Sequence, residues 1–450
     1  MRRWDAHQLA RAAGAQLARD AARPGEGPTH ATIDSRASAA GTLFVGLPGE
    51  NVDGGRFAAA ALAGGAWGVL IAPEHAEAAL AATSAGAVLT ADAPLAALQT
   101  LANSWRHELG AKVIGVTGST GKTSTKELLL SLLSPRRMTV ASQANFNTEI
   151  GLPLQILGAP SGTEVLVLEM GMRGPGQIAE LARIAEPDVG VIVSIGPVHL
   201  ELLGSIEAIA AAKAELIAGL APGATAVVPA GEALLEPYLR ADVETVTFGD
   251  GGDVRFLSQN STHVEVDAQG EQLDLELNFS GAHLRQDLLA AIAAARAVGV
   301  SPGGRLELEL SAGRGQRRVL AGGVMLIDDA YNANPMSMRA ALDALGSTAA
   351  GGRRIAVLGD MLELGPTAEA YHREIGRYAG AVADVLVTVG PLAAAMADEF
   401  PAEHHFAADA AAAAELLPRL LHPGDVVLVK ASNGIGLRLV CETLAAAAAA

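Results

Sequence analysis

The stretch Thr117-Gly-Ser-Thr-Gly-Lys-Thr-Ser sets two glycines beside a lysine, with hydroxyls on both sides. Glycines allow several backbone N–H groups to converge on one anion, and a lysine at that point adds a full positive charge. Apolar residues precede it and Lys126-Glu-Leu-Leu-Leu follows, so the context is strand, turn, helix, as a phosphate-binding loop requires. Gly118, Ser119, Thr120, Gly121, Lys122, Thr123 and Ser124 are the candidate nucleotide-phosphate contacts, with the Thr123 hydroxyl available to magnesium. The strict eight-residue signature fails because residue 116 is valine, and an ordinary glycine-rich turn is the alternative. The loop alone names no reaction.

Such a loop needs an acid at the end of a nearby strand to support a cation, and Val165-Leu-Val-Leu-Glu offers Glu169. A glutamate there also serves as a helix cap or a surface charge. His199 follows another apolar run, where a lone histidine is commonly structural. Lys213 lies in an alanine-dominated helical stretch and reads first as a solvated lysine. Only five of the 32 basic side chains are lysine (112, 122, 126, 213 and 430), however, so a lysine kept in an arginine-rich chain hints at chemistry that guanidinium cannot perform. Losing a proton and taking up a carboxyl group is one example. Lys430, closing the run Val426-Val-Leu-Val-Lys, is placed by the same logic at the edge of a cleft.

Parallel-sheet units must carry these residues. Short Val/Ile runs at 113–117, 165–169, 189–194, 324–328, 355–359, 385–389 and 426–430 alternate with longer stretches of helical period, the pattern of α/β layers. Residues 243–279 alternate at period two between polar turns, which predicts a small antiparallel patch. With 450 residues, about three domains are expected. Boundaries near 108 and 314 divide the chain into 1–108, 109–314 and 315–450, the second falling in Ser311-Ala-Gly-Arg-Gly-Gln. Half the residues are apolar and 18% are charged, which excludes a disordered chain. A net charge of −17 opposes nucleic-acid or anionic-membrane binding, so a phosphorylated ligand needs a local pocket. The single cysteine, Cys441, excludes an internal disulfide and multi-cysteine metal sites. Neither a signal peptide nor a membrane-spanning run is read, and a cytoplasmic, monomeric protein is expected; the closing alanine run reads as a fraying helix end.

Taken in order, these residues resemble the Mur ligase family of ATP-dependent, amide-bond-forming enzymes of peptidoglycan synthesis. Thr32-Ile-Asp-Ser-Arg, Gly41-Thr-Leu-Phe-Val-Gly-Leu-Pro-Gly and Asp53-Gly are similar to the family's amino-terminal UDP-sugar domain, and Asn145-Phe-Asn-Thr-Glu-Ile-Gly-Leu-Pro to its substrate channel. The resemblance implies three α/β domains: one for the UDP-linked substrate, a P-loop domain and a Rossmann-like carboxy-terminal domain. It implies UDP-substrate contacts at Ser35, Arg36, Asn145, Asn147 and Thr148. It also implies two magnesium ions, one on Thr123 and Glu169 and one on His199 and a carbamylated Lys213. ATP contacts are implied at His283, Asp287, Arg314, Asp328, Tyr331 and Asn332. Asp328-Asp-Ala-Tyr-Asn-Ala-Asn-Pro-Met-Ser-Met and Met361-Leu-Glu-Leu-Gly are similar to the branch that joins D-alanyl-D-alanine to a UDP-N-acetylmuramoyl-tripeptide, with Asn334, Ser337 and Lys430 toward the dipeptide. A capped turn is the structural alternative for the segment before Pro335.

Three departures from the family pattern stand out. Leu284 and Asp287 replace asparagines, Lys430-Ala-Ser-Asn lacks an arginine, and Thr148 replaces an asparagine. The mechanism expected is activation of a carboxylate as an acyl phosphate, with Lys122 stabilising the transferring charge and closure about hinges near 108 and 314. A folylpolyglutamate-type ligase and a P-loop ATPase switch without ligation are the other readings.

Overall fold

The structure is a computed structural model that describes residues 1, 4–20, 26–143, 145–260, 262–279 and 281–447. The end of the closing alanine run, 448–450, and Arg2 and Arg3 of the amino-terminal segment lie outside the described residues. Three sheets follow one another along the chain. In the first, His30–Thr32, Thr42–Val45, Gly68–Ile71 and Ala87–Thr90 run parallel, and Gln16–Arg19 adds antiparallel to the last. At three or four residues, several of them alanine or glycine, these strands show no readable period in the sequence.

The central sheet has ten strands. Its parallel half places Lys112–Thr117 between Val165–Glu169 and Val189–Ile192, then continues through Thr225–Pro229 to Glu244–Phe248. Glu244–Phe248 was expected in the antiparallel patch, yet it pairs in parallel with Thr225–Pro229. Alternation reports one wetted face, not strand direction, which explains the difference. The antiparallel part is confined to Val254–Gln259, His263–Ala268 and Glu271–Leu277. In the third sheet Met325–Asp328, Val426–Lys430, Arg354–Gly359, Val385–Val389 and Glu403–Ala407 are parallel, with Gln316–Val319 antiparallel at the edge.

Consecutive strand residues point to opposite faces, and each face is sealed by apolar side chains. Ile114, Val116, Val165 and Val167 join the helices Lys122–Leu133 and Ala282–Ala297 on one side of the central sheet. Leu166, Leu168 and Met170 join Gly151–Gly158, Gln177–Ala185 and Ile206–Ala218 on the other. That second cluster runs without a break into Leu43, Leu70 and Leu89 of the first sheet. The helix Pro94–Leu109 is the keystone: Trp105 is 3% exposed, donates its Nε1–H to the Ala159 carbonyl at 3.1 Å, and stacks edge-on with Trp4 at 5.2 Å.

A core shared across position 108 corrects the expectation of a hinge there, because rotation would tear buried apolar surface apart. The third sheet has its own two clusters, one on each face. The boundary between separate cores therefore falls at the 311–315 connection. No helix among the described residues is long and apolar enough to cross a membrane.

Trp105→Ala removes a large side chain shared by two layers and should cost about 3–5 kcal/mol. Calorimetry should then show the first and central units losing stability in one transition, with the third unit's transition unmoved.

Candidate active site

The carboxyl ends of the central strands and those of the third sheet face each other across one cleft of about 1350 Å³. Parallel sheets bind ligands there because loops and helix N-termini converge at that edge. Gly121 sits at φ +81 and begins the helix Lys122–Leu133, and a Cβ at that position would lie 2.7 Å from Val193 and collide with Asp287. Only glycine fits. Ser119 is tied down by Gly196, whose N–H donates to its Oγ at 2.9 Å, and the Thr120 N–H donates to Ser194 Oγ at 2.9 Å. The loop is thus fixed from the neighbouring strand's exit before any ligand arrives.

Lys122 donates to the Gly118 carbonyl at 2.7 Å, and burial together with Arg314 pushes its pKa down while Glu169 opposes the shift. Thr123 Oγ1 donates to Glu169 Oε2 at 2.8 Å, and Asn147 Nδ2 donates to Oε1 at 2.9 Å. Glu169 itself is 3% exposed and its backbone N–H donates to Ser142 Oγ. Lys213, on Ile206–Ala218, is 2% exposed, lines the same cleft, and makes no hydrogen bond or ion pair with another described residue. Burial, then the Lys122 charge, holds its pKa well below the ordinary lysine value. His199 takes a left-handed backbone conformation at the start of Leu200–Leu203, and burial pushes its pKa down against the pull of Glu363.

The donors can hold a divalent cation: the Thr123 hydroxyl and the Glu169 carboxylate are ordinary oxygen ligands of magnesium, the His199 imidazole is a less usual one, and all three line the cleft with Lys213. An ammonium is not a metal ligand. An amine whose pKa is lowered by burial gives up its proton more readily, however, and the neutral form is the one that reacts with carbon dioxide; the resulting carbamate would be anionic.

Across the cleft, the Arg314 guanidinium lies 4.1 Å from the Tyr331 ring centre, and the Tyr331 N–H donates to the Gly313 carbonyl. Lys430, 3% exposed, pairs with Asp329 at 2.6 Å and donates to the Asn332 carbonyl at 2.9 Å. Asn334 and Ser337 line the cleft but also form a reciprocal cap on the helix Pro335–Ser347, the structural alternative raised for this segment. Met336 packs so closely on Gly196 that no Cβ fits there, which joins the third unit to the strand exit that holds the phosphate loop.

Several expected contacts fall elsewhere. Asp328 does not line the cleft; it is turned toward Cys441, whose thiol is pushed up in pKa by burial and by this carboxylate, and Asp329 takes the cleft side. Strand alternation makes only one of the two adjacent aspartates available. Ser35 and Arg36 lie in the first unit away from the cleft, and Arg36 forms a two-pronged pair with Asp34 at 2.9 Å. Asn145, Asn147 and Thr148 do line it, although Asn147 is engaged with Glu169 and Thr148 Oγ1 accepts the Gly151 N–H. His283 is at the rim, whereas Leu284 is buried in the core and can offer no polar contact. The sequence reading assigned no role to Arg173, Asp329 or Glu363, each a charged side chain in an ion pair at or beside the cleft.

Family models match most of the chain: a Mur ligase family, catalytic domain over residues 29–105, a Mur ligase middle domain over 116–295, and a Mur ligase, glutamate ligase domain over 313–433. The chain belongs to the Mur ligase family. Among its relatives, the UDP-N-acetylmuramoyl-tripeptide--D-alanyl-D-alanine ligase of Synechocystis is 37% identical, covering 92% of this chain and 91% of that protein. A crystal structure of MurF from Acinetobacter baumannii superposes with a TM-score of 0.86 at 29% identity, covering 98% and 99% of the two chains. The MurF ligase of Thermotoga maritima in complex with ADP gives 0.79 at 29% identity, covering 93% and 97%. Mur ligases are ATP-dependent amide ligases, and this chain is an ATP-binding enzyme of that class acting on small molecules.

Asp287 is one of the departures noted in the sequence. It is buried, Oδ2 has no hydrogen-bond partner among the described residues, and desolvation raises its pKa well above the carboxylate norm. An acid with a raised folded-state pKa weighs against the fold increasingly as pH rises above its unfolded value, about 3.9. Asp287→Asn should therefore raise Tm relative to the parent by more at pH 8 than at pH 4, as thermal melts across that range would record.

Proposed function

We propose that the enzyme joins D-alanyl-D-alanine to a UDP-N-acetylmuramoyl-tripeptide in the cytoplasm, with ATP converted to ADP and phosphate. The observation that carries this reading is the single cleft in which the phosphate loop, the Glu169–His199–Lys213 wall and the Arg314, Tyr331 and Lys430 side chains meet. Relatives carrying that activity in their names match over nine-tenths of their length. We assign residues 1–108 to the UDP-muramoyl-peptide substrate, 109–314 to ATP, and 315–450 to the dipeptide, with Ser35 and Arg36 toward the UDP end.

A carboxylate is a poor electrophile toward an amine, so the acceptor carboxylate must first take the γ-phosphoryl group as an acyl phosphate. Backbone N–H groups of 118–123 hold the phosphates, and Lys122 exchanges its Gly118 carbonyl partner for phosphoryl oxygen and follows the moving charge. Thr123 and Glu169 would hold one magnesium ion, and His199 with carbamylated Lys213 a second. Divalent charge there screens the repulsion between carboxylate and triphosphate. Asn147 keeps Glu169 aimed at the loop by its hydrogen bond. The Arg314 face on Tyr331 gives a flat cationic wall suited to a nucleotide, and the dipeptide amine approaches from the side of Asn334, Ser337 and Lys430.

ADP release measured with the two substrates singly and together checks the reaction: release should require both, and hydroxylamine in place of the dipeptide should yield a hydroxamate. ATP hydrolysis independent of either substrate would instead indicate a switch ATPase. Lys213→Arg keeps a positive charge but cannot form a carbamate. Its kcat should fall by about 10²–10³-fold, the order lost with one transition-state charge partner. Full turnover by this variant would refute the carbamate.

A further inference from the structure

One carboxylate of the third unit crosses to the central unit beside the candidate metal ligands. Glu363 pairs with His199 through Oε2 and Nδ1, and its Oε1 accepts from Arg173 Nη2 at 2.7 Å. Its own carbonyl accepts the Glu201 N–H at 3.1 Å. His199 and Glu363 sit at φ +54 and φ +63, and they are two of only four non-glycine residues with positive φ among the described residues. Left-handed backbone is unfavourable for such side chains and persists where the surroundings over-determine it.

The surroundings of Glu363 do so. His372, fully buried, accepts the Met361 N–H at 2.9 Å on Nε2 and contacts the Ala368 carbonyl at 2.6 Å through Nδ1. Ser432 Oγ accepts the Leu362 N–H at 2.9 Å, and the Ser432 N–H donates to the Asp360 carbonyl at 3.0 Å. Residues 360–363 are therefore fastened to the third sheet and move with it. Their one ionic reach outward is toward His199 and Arg173.

We propose that Glu363 is a positioning residue: by accepting the Nδ1–H of His199 it leaves Nε2 as the metal-binding nitrogen, and it completes the metal site only when the third unit has docked. A carboxylate partner of this kind sets both tautomer and ring orientation in metal-bound histidines. Because donor and acceptor belong to units with separate cores, docking and cation binding become one linked event. The inference rests on the metal-assisted ligase reading above.

Two variants of the full-length enzyme test it. Glu363→Gly removes the carboxylate and suits the positive φ, so its Tm should equal or exceed that of the parent; Glu363→Gln keeps the shape and loses the charge. Manganese binding in the presence of ADP, followed by electron paramagnetic resonance, should weaken by about 10–100-fold in Glu363→Gly and by less in Glu363→Gln. In both, kcat should fall while KM for ATP stays within about threefold. Scattering should show a smaller contraction on adding ADP and manganese in Glu363→Gly than in the parent. Parental manganese affinity in Glu363→Gly overturns the proposal, whatever its Tm, since a mere strut between units would leave cation binding untouched. Failure of the unmodified enzyme to release ADP with both substrates would count against the ligase reading instead.

Discussion

An excess of uncompensated positive charge in a desolvated wall is the constraint on which the site depends. Lys213 is 2% exposed with no counter-ion among the described residues, and Lys122 spends its ammonium on a single carbonyl beside one carboxylate. Buried charges of like sign are costly, and the cost is relieved by neutralisation or by an anion. A phosphate chain in the loop would relieve it for Lys122, and proton loss would relieve it for Lys213. In a chain of net charge −17, this cleft gathers basic groups that suit a polyanionic nucleotide, so long-range repulsion can be overridden locally.

The architecture serves that wall by opposing two sets of strand ends. Thr117 and Glu169 end central strands, and Asp328 and Lys430 end strands of the third sheet. Backbone donors and left-handed turns gather at such edges, so two edges brought together can grip one ligand from both sides. The first and central units share a core through the helix Pro94–Leu109, while the third keeps its own. One core shared by two units and a separate core in the third is an arrangement that would let one body hold a nucleotide while the other delivers an incoming amine.

Much of the centre was legible in the chain, for physical reasons that differ by residue. The phosphate loop shows itself because only glycine tolerates the conformation at 121 and only lysine adds a compact charge there. Glu169 and Lys430 show themselves because a polar residue closing a fully apolar strand is conspicuous. The run 244–248 misled because alternation carries no direction, and Asp328 was preferred to Asp329 because adjacent aspartates read alike until the strand's facing is known. Glu363 lay within a quoted motif, but no local pattern says that its partner is 164 residues away.

By itself the amino-acid sequence determined the α/β class, the phosphate loop, and a family resemblance that the matching models bear out across most of the chain. These depend on local conformational preference and on hydrophobic period, both written within a few residues. Tertiary structure alone decided which aspartate faces the cleft, that Asn147 donates to Glu169, that Lys213 is buried, and that Glu363 reaches His199. Burial, pKa and the pairing of distant charges are properties of a packed interior, and they exist only once segments far apart in the chain have excluded water between them.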